Sequence, residues 1–443
     1  MVSEALPTVA VLGASGLIGH AVATALEQGG FPVVSVARRF TQAQAAALAG
    51  PLVSRDLVAA DVDGLAALLA GNAVDVVVNC VGILQDGAGG DTHEVHTAFV
   101  GRLLDAMAAA SRPALFVHVS IPGVSDDDHT AFSRTKRAAE ARIRESRAPH
   151  VILRPGFVVA PAAYGGSAMI RALAALPLGL PRDLAARPFA AVDVADIART
   201  VSVVARQWQA GERDRSAVWD LMAPGEMTVG GVVAAFRRRF GGPPALLRPP
   251  GWMLRLGAVA GDWAARLGWA PPMRSTALAE MARGVTGDPG PWMAATGIAP
   301  STLDATLRRL PATVQETWFA RLYLLKAVIV VALAVFWIVS GLIALSVSFG
   351  AATEILTARG YPAGFAVPFI ALTSSMDIAV GVLIAFRRTH RAGLMAGIVV
   401  SLGYLGGTAL LTPDLWLEPL GALVKTVPAI VLMVVGLAVA DSR

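Results

Sequence analysis

Thr8-Val9-Ala10-Val11-Leu12-Gly13-Ala14-Ser15-Gly16-Leu17-Ile18-Gly19 decides how this chain is read. Residues 8–12 form a short continuous apolar run, the composition of a strand buried on both faces, and Gly13 ends it. The Gly13-x-x-Gly16-x-x-Gly19 spacing then opens a helix-compatible segment over residues 20–28. Each glycine has a physical task in such a turn. One permits the tight reversal and one lets backbone amides approach a pyrophosphate with no Cβ in the way. The last lets the helix sit close on the strand with its N-terminal dipole facing the phosphates. A glycine-rich turn alone is a weak signal, but strand, turn, helix and second strand (residues 32–36) follow within about thirty residues, one complete βαβ unit.

Where the second strand ends, a binder of NAD(H) offers Asp or Glu to the ribose hydroxyls, whereas this chain has Ala37-Arg38-Arg39. Two guanidiniums there suit a 2′-phosphate, which favours NADP(H) over NAD(H); a solvated basic turn is the other reading. Arg55-Asp56-Leu57 closes a short third strand, and residues 75–82 read as a fourth whose Gly82 leaves room for cofactor. Residues 115–120 and 151–154 supply a fifth and a sixth. Strands alternating with helical stretches predict an α/β fold built on a doubly wound parallel Rossmann sheet.

GASGLIG, SRDL, NCVGI, VHVS and ILRPGFV, in this order, resemble the short-chain dehydrogenase/reductase family in its extended, atypical branch, over roughly residues 5–310. The members most similar are complex I accessory-subunit-like and nucleoside-diphosphate-sugar epimerase-like. The resemblance implies that Gly13, Ser15, Gly16, Ile18 and Gly19 contact the pyrophosphate, Arg38 and Arg39 the adenosine phosphate, and Asp56 with Leu57 the adenine. It further implies that Val81 and Gly82 line the cofactor cleft and that Pro155 to Val158 pass near the nicotinamide. The expected domains are residues 1–155 for the Rossmann core, 156–320 for a smaller substrate lobe and 321–443 for a membrane domain; within the lobe, residues 189–196 (Phe-Ala-Ala-Val-Asp-Val-Ala-Asp) are expected to return to the sheet and then start a helix with Asp at its N-terminus.

The family's catalytic signature is Tyr-x-x-x-Lys on a helix after a strand-end Ser. Spacing four puts Tyr and Lys on one helical face, so the ammonium lowers the phenol pKa and the phenolate trades a proton with the substrate. Here the stretch is Phe132-Ser133-Arg134-Thr135-Lys136, after Ser120. A phenyl ring has no proton to give, so standard carbonyl reduction through this position is unavailable. Ser120 and Lys136 remain the candidate catalytic residues, and Lys136 is also a candidate ligand of the nicotinamide ribose; a solvated helix lysine is the bland reading. His129 and Ser133 flank the position, and His118 shares a strand face with Ser120, without any of them being marked as a replacement acid. His93 and His96 sit three apart with no third ligand at a recognisable spacing, so no metal site is expected. Cys80 reads as a buried apolar residue under the cofactor.

Composition adds a second theme. Hydrophobic residues are 55% and charged residues 16% of the 443, a balance of proteins with part of their mass in lipid. A net charge of +5 comes with no basic run interleaved with aromatics, which argues against nucleic acid and for anionic lipid headgroups. One cysteine excludes an internal disulfide. Residues 1–13 carry Glu4 and no basic n-region, which reads against a signal peptide.

Residues 327–349, 364–386, 392–411 and 420–440 each reach the ~20 apolar residues needed to span a bilayer, predicting a four-helix transmembrane bundle. Residues 387–391 (Arg-Arg-Thr-His-Arg) join the second and third spans, whereas the other connections hold mainly Glu354, Arg359, Asp414 and Glu418. The positive-inside rule then makes the basic loop, the Rossmann domain and both termini cytosolic, in a bacterial cytoplasmic membrane. Four spans and Ser374-Ser375-Met376-Asp377 resemble the DoxX-like family more loosely. Asp377 is the one carboxylate deep in a span. At 1.5 Å per residue it sits about 14 Å from the cytosolic end, level with Ser401 at about 14 Å and Tyr404 at about 18 Å. It is therefore expected to face the bundle interior, protonated and bonded to Ser401 or Tyr404, while Lys425 at about 22 Å snorkels away. Residues 251–269 read as an amphipathic interfacial helix or as a helix covering the lobe.

Two functions follow. One is a membrane-anchored NADP(H)-dependent oxidoreductase or isomerase acting on a lipophilic molecule such as a quinone or lipid. The other is a non-catalytic NADP(H)-binding module that stabilises or senses, docked on a membrane protein partner.

Overall fold

The computed structural model describes residues 6–87, 90–417, 421 and 423–440. Met1, Glu4, Glu418 and Leu420, used in the leader and span readings, lie outside the described residues. The strands are β1 (Val9–Leu12), β2 (Val33–Ala37), β3 (Leu52–Ser54), β4 (Val76–Asn79), β5 (Leu115–Val119), β6 (His150–Pro155), β7 (Phe157–Val159), β8 (Ala191–Asp193) and β9 (Ser216–Leu221). Seven of them form one sheet in the order β3-β2-β1-β4-β5-β6-β9, every pair parallel.

The apolar run of β1 behaves as its composition requires: all four residues are fully buried, with Leu12 level with Val36 on one side and Asn79 on the other. Helices cover both faces. Val22 and Leu26 of helix Leu17–Gln28 pack on one face with Ile197, Val201 and Trp208 of helix Val194–Gln209. Leu65, Phe99, Leu103 and Ile143 from three further helices pack on the other. Truncating a fully buried anchor such as Phe99 to alanine costs about 3–5 kcal/mol.

Two elements differ from the expectation. Residues 189–196 were expected to return to the main sheet, but β8 pairs with β7 in a separate two-stranded sheet. Asp193 then caps helix Val194–Gln209, its side chain accepting from Ala195 N at 2.9 Å. The strand that does return is β9, beyond β6. A smaller core of Ile170, Ala174, Val232, Phe236 and Leu307 gathers helices Gly165–Ala175, Val229–Phe240 and Leu303–Arg309. All of this lies in one compact unit, Met1–Asp262 with Pro271–Ala320; Trp263–Ala270 and Arg321–Arg443 form the other.

Three helices among the described residues are long and apolar enough to cross a membrane: Val314–Leu345, which belongs to the second unit from Arg321 on, Ala363–Ala385 and His390–Leu411. A fourth span is not confirmed among the described residues. The last apolar stretch carries helix Thr426–Ala438, 13 residues and so about 20 Å long, against a hydrocarbon core of ~30 Å. Between helices that gain nothing from leaving lipid, close backbone approach supplies the packing, and small residues make it possible. A Cβ on Gly381 would stand 2.8 Å from Ile338 N, and one on Gly393 2.6 Å from Ile384 N. Asp377 does face the interior, where Tyr404 donates its hydroxyl to Oδ1 at 2.7 Å; Ser401 is buried one turn away, and Lys425 is exposed at the start of the last helix.

Candidate cofactor site

The strand order reverses between β1 and β4, and in open parallel sheets a crevice forms past the strand ends at that point. Gly13 turns there with φ +82°, and a Cβ on it would lie 3.1 Å from the backbone of Cys80 and Val81, so the β1 turn rests directly on the end of β4. A Cβ on Gly19 would lie 2.3 Å from Gly13 O, so the helix is held against the turn itself. Gly16 is the N-cap of helix Leu17–Gln28 and supplies no side-chain cap. First-turn amides are thereby left for an anion, at the positive end of the dipole.

A cavity of about 540 Å³ opens at this turn. Of the residues singled out from sequence, Gly13, Ser15, Gly16, Arg38, Asp56, Leu57, Val81 and Gly82 line it. Ile18 and Gly19 lie behind them in the helix, Pro155 ends β6, and Val158 of β7 packs against the sheet core. Arg39 is exposed and outside the wall. Sequence reasoning missed Arg55, Ile83, Asp91 and Glu94, which line the wall as well, as does Cys80. Only Arg55, inside the SRDL motif, carried a local signal. Bare amides at one end and Arg38 with Arg55 at the side are a donor set that suits a dinucleotide.

Lys136 reaches the same place from beneath: a Cβ on Gly82 would stand 3.3 Å from its Nζ and 3.5 Å from Nε2 of His96. Helix Ala131–Glu145 carries it, buried, with Nζ donating to Val119 O at 2.9 Å. Burial pulls the Lys136 ammonium down to about 8, against the opposing pull of Cys80 and Glu140. Burial, and then the Lys136 charge, brings His96 to about 3, so its imidazole is neutral at pH 7. His96 Nε2 accepts from Ile83 N at 3.2 Å, which leaves the proton on Nδ1, 2.9 Å from the Thr135 hydroxyl. Both nitrogens are thus occupied. His118 is held neutral by burial in the same way. Although Cys80 is half-buried as a residue, burial of its thiol pushes it up to about 12, which makes it inert.

Phe132 is half-buried, with His96 edge-on at 5.6 Å between ring centroids. None of its neighbours takes over as acid. Ser133 accepts from Thr130 N at 3.3 Å while Thr130 accepts from Ser133 N at 3.1 Å, a capping box that fixes the helix start. His129 and His93 are exposed, and His93 does not converge with the buried His96. Ser120 is buried at the end of β5 beside Glu140. Burial opposes ionisation of Glu140, but Arg154 and Arg137 outweigh it, donating at 2.9 and 3.2 Å and holding the carboxyl below its usual range.

Residues 13–176 match a family model described as NAD(P)H-binding. The chain is 31% identical over 219 residues to dTDP-6-deoxy-L-talose 4-dehydrogenase (NAD(P)(+)) from Kitasatospora kifunensis, covering 44% of this chain and 68% of that protein. It belongs to the NAD(P)-binding short-chain dehydrogenase/reductase family. Solved structures of epimerase-like members share the fold of this short-chain dehydrogenase/reductase. UDP-glucose-4-epimerase from Stenotrophomonas maltophila with bound NAD superposes with a TM-score of 0.53 at 17% identity, over 73% of this chain and 99% of that one. UDP-glucuronic acid 4-epimerase from Bacillus cereus, with UDP-glucuronic acid and NAD, gives 0.51 at 15% identity, over 71% and 99%. Residues 334–434 match the DoxX-like family, so this member carries a membrane-associated domain behind its Rossmann fold.

Proposed function

We propose that this chain is a membrane-anchored NADP(H)-binding protein that holds its cofactor without the family's tyrosine acid. The observation that carries the reading is the cavity at the strand-order reversal, with bare helix amides at one end and Arg38 at its rim. When bound, the cofactor supplies hydride-transfer chemistry. Gly13, Ser15 and Gly16 bring the backbone close to a pyrophosphate, Arg38 takes the 2′-phosphate, and Lys136 presents its ammonium under Gly82 to the ribose end. Phe132, four residues before Lys136 on the same helix, offers no exchangeable proton, and Ser133 and His96 are committed to other bonds. Cofactor holding on behalf of a membrane partner accounts for these features together. The Rossmann domain and the basic loop at residues 387–391 share the cytosolic side by the positive-inside rule.

A second reading rests on Lys136. An ammonium brought to about 8 by burial can gain and lose a proton near neutral pH, which keeps open an oxidoreductase or isomerase acting on a lipophilic molecule such as a quinone or lipid. The experiment is NADPH oxidation by the full chain in detergent with a short-chain quinone and a simple ketone. Background rates with both acceptors support the holding function. Turnover that vanishes in Lys136→Met supports the second reading and overturns the first.

A further inference from the structure

Helix Gly251–Arg266 leaves a continuous apolar stripe uncovered: Trp252 and Leu256 are each 61% exposed, Val259 48% and Trp263 61%. At 3.6 residues per turn these four side chains fall within about 60° of arc, the geometry of a face built to meet one flat partner. The opposite face is spent on its own unit. Ala258 and Gly261 are buried, a Cβ on Gly261 would stand 2.0 Å from Met273 O, and Leu254 packs against the core of the smaller lobe. The stripe is therefore not the side that covers the lobe.

The charges beside it are basic. Arg255 and Arg266 flank one edge of the stripe, and exposed Arg248 precedes the helix next to Leu246 and Leu247, which are 74% and 63% exposed. Arg266 lies over the Trp263 ring at 4.1 Å. Asp262 is engaged, accepting from Arg274 Nε at 2.9 Å and from the Ser275 hydroxyl at 2.5 Å.

What covers the stripe follows from where the helix goes. Its last residues, 263–266, and the turn at 267–268 that ends it belong to the apolar bundle. There Trp269 Nε1 donates to Ala385 O at 2.7 Å, and Leu267 O accepts from Arg387 N at 3.0 Å. Trp269 also meets His390 edge-on at 5.0 Å, with the Arg387 guanidinium over its ring at 5.3 Å. These contacts sit where helix Ala363–Ala385 gives way to Arg387, Arg388 and Arg391, the level at which hydrocarbon ends and headgroups begin.

We propose that helix Gly251–Arg266 lies in the plane of the membrane surface, its Trp252-Leu256-Val259-Trp263 face sunk among the acyl chains and Arg248, Arg255 and Arg266 on anionic headgroups. Tryptophan at both ends of the stripe and arginines whose stems snorkel outward are the composition such a helix needs.

The inference rests on the bundle being in lipid, and the experiment separates the two. Spin labels are placed singly at Leu256→Cys, Val259→Cys, Leu372→Cys in a span, and Asp127→Cys on an exposed turn of the Rossmann unit. Each is measured in the full chain in nanodiscs of phosphatidylcholine with one quarter phosphatidylglycerol, for access to oxygen and to a water-soluble nickel chelate. Positions 256 and 259 are expected to favour oxygen at a depth of about 5–10 Å, shallower than 372, with 127 aqueous. Positions 256 and 259 as open to nickel as 127, or closed to both probes as under a protein partner, with 372 in lipid, overturn the proposal alone. An aqueous 372 overturns the membrane reading and the proposal with it.

Discussion

Gly19→Ala is the sharpest perturbation of the turn on which the fold and the cofactor site both depend. The added Cβ would stand 2.3 Å from Gly13 O, 2.8 Å from Gly13 C and 3.1 Å from Ala14 Cα, all backbone atoms, so no side chain can swing away to relieve it. Ordinary contact begins near 3.4 Å, so the helix must lift from the turn by about 1 Å. Val22, Ala23 and Leu26 of that helix are fully buried against the sheet, which resists the shift. Overpacking of this kind costs about 1–3 kcal/mol, and contact with fixed backbone puts it at the upper end. For a unit of this size that is a fall in Tm of roughly 5–10 °C. The same shift moves the amides away from the pyrophosphate, so NADPH binding weakens by about tenfold or more. Gly71→Ala is the control, because a Cβ there meets nothing within 4 Å and it ends a helix, where alanine is favoured by about 0.5–1 kcal/mol. Differential scanning fluorimetry and calorimetric titration of the detergent-purified chain read both effects. A Gly19→Ala protein that melts with the wild type and binds NADPH equally well would refute the close approach of helix and turn.

Lys136→Met should stabilise the cofactor-free protein by about 1–3 kcal/mol at pH 7, since a lysine brought to about 8 carries a burial cost below that pH. Between about 8 and 10.5 the unfolded chain alone keeps that proton, so wild-type stability recovers and the advantage of the variant fades as pH rises; a gain constant from pH 7 to 11 contradicts this. Phe132→Tyr places a phenol four residues before that ammonium, and its phenolate absorbance, read against wild type, is expected to titrate below ~9; titration at ~10 or above contradicts the shared face. In the bundle, Tyr404→Phe and Asp377→Asn should show a double-mutant coupling of about 0.6–1.7 kcal/mol in thermal unfolding, and strict additivity would dissolve the 2.7 Å bond.

How much of this was legible in sequence depends on how local each signal is. The first six strands of the sheet, all buried but the partly exposed edge strand β3, are short runs punctuated by glycine or charge, and they stand where the composition placed them. β9 escaped because Ser216-Ala217-Val218-Trp219-Asp220-Leu221 mixes polar and apolar residues, as an edge strand pairing on one side only allows. β8 was taken for a return to the main sheet because an apolar run does not reveal which neighbour it pairs with. Arg38 and Arg39 were equivalent in sequence; only the fold points one into the cavity and the other to solvent. Asp91 and Glu94 reach the cavity from a segment far along the chain from the glycine turn, a placement that no spacing rule encodes. The Tyr404–Asp377 bond was within reach because two antiparallel helices joined by a short basic connection have matching depths.

The central claim is that the cavity beside Arg38 binds a dinucleotide carrying a 2′-phosphate. Calorimetric titration of the full chain with NADPH and with NADH, in wild type and Arg38→Ala, tests it most directly. The account predicts tighter NADPH binding by at least about tenfold, and loss of that preference in the variant, with NADH unchanged, as removal of a charge-assisted bond worth about 1.5–3 kcal/mol requires. Equal affinities in wild type, or an NADPH preference that survives Arg38→Ala, would contradict it.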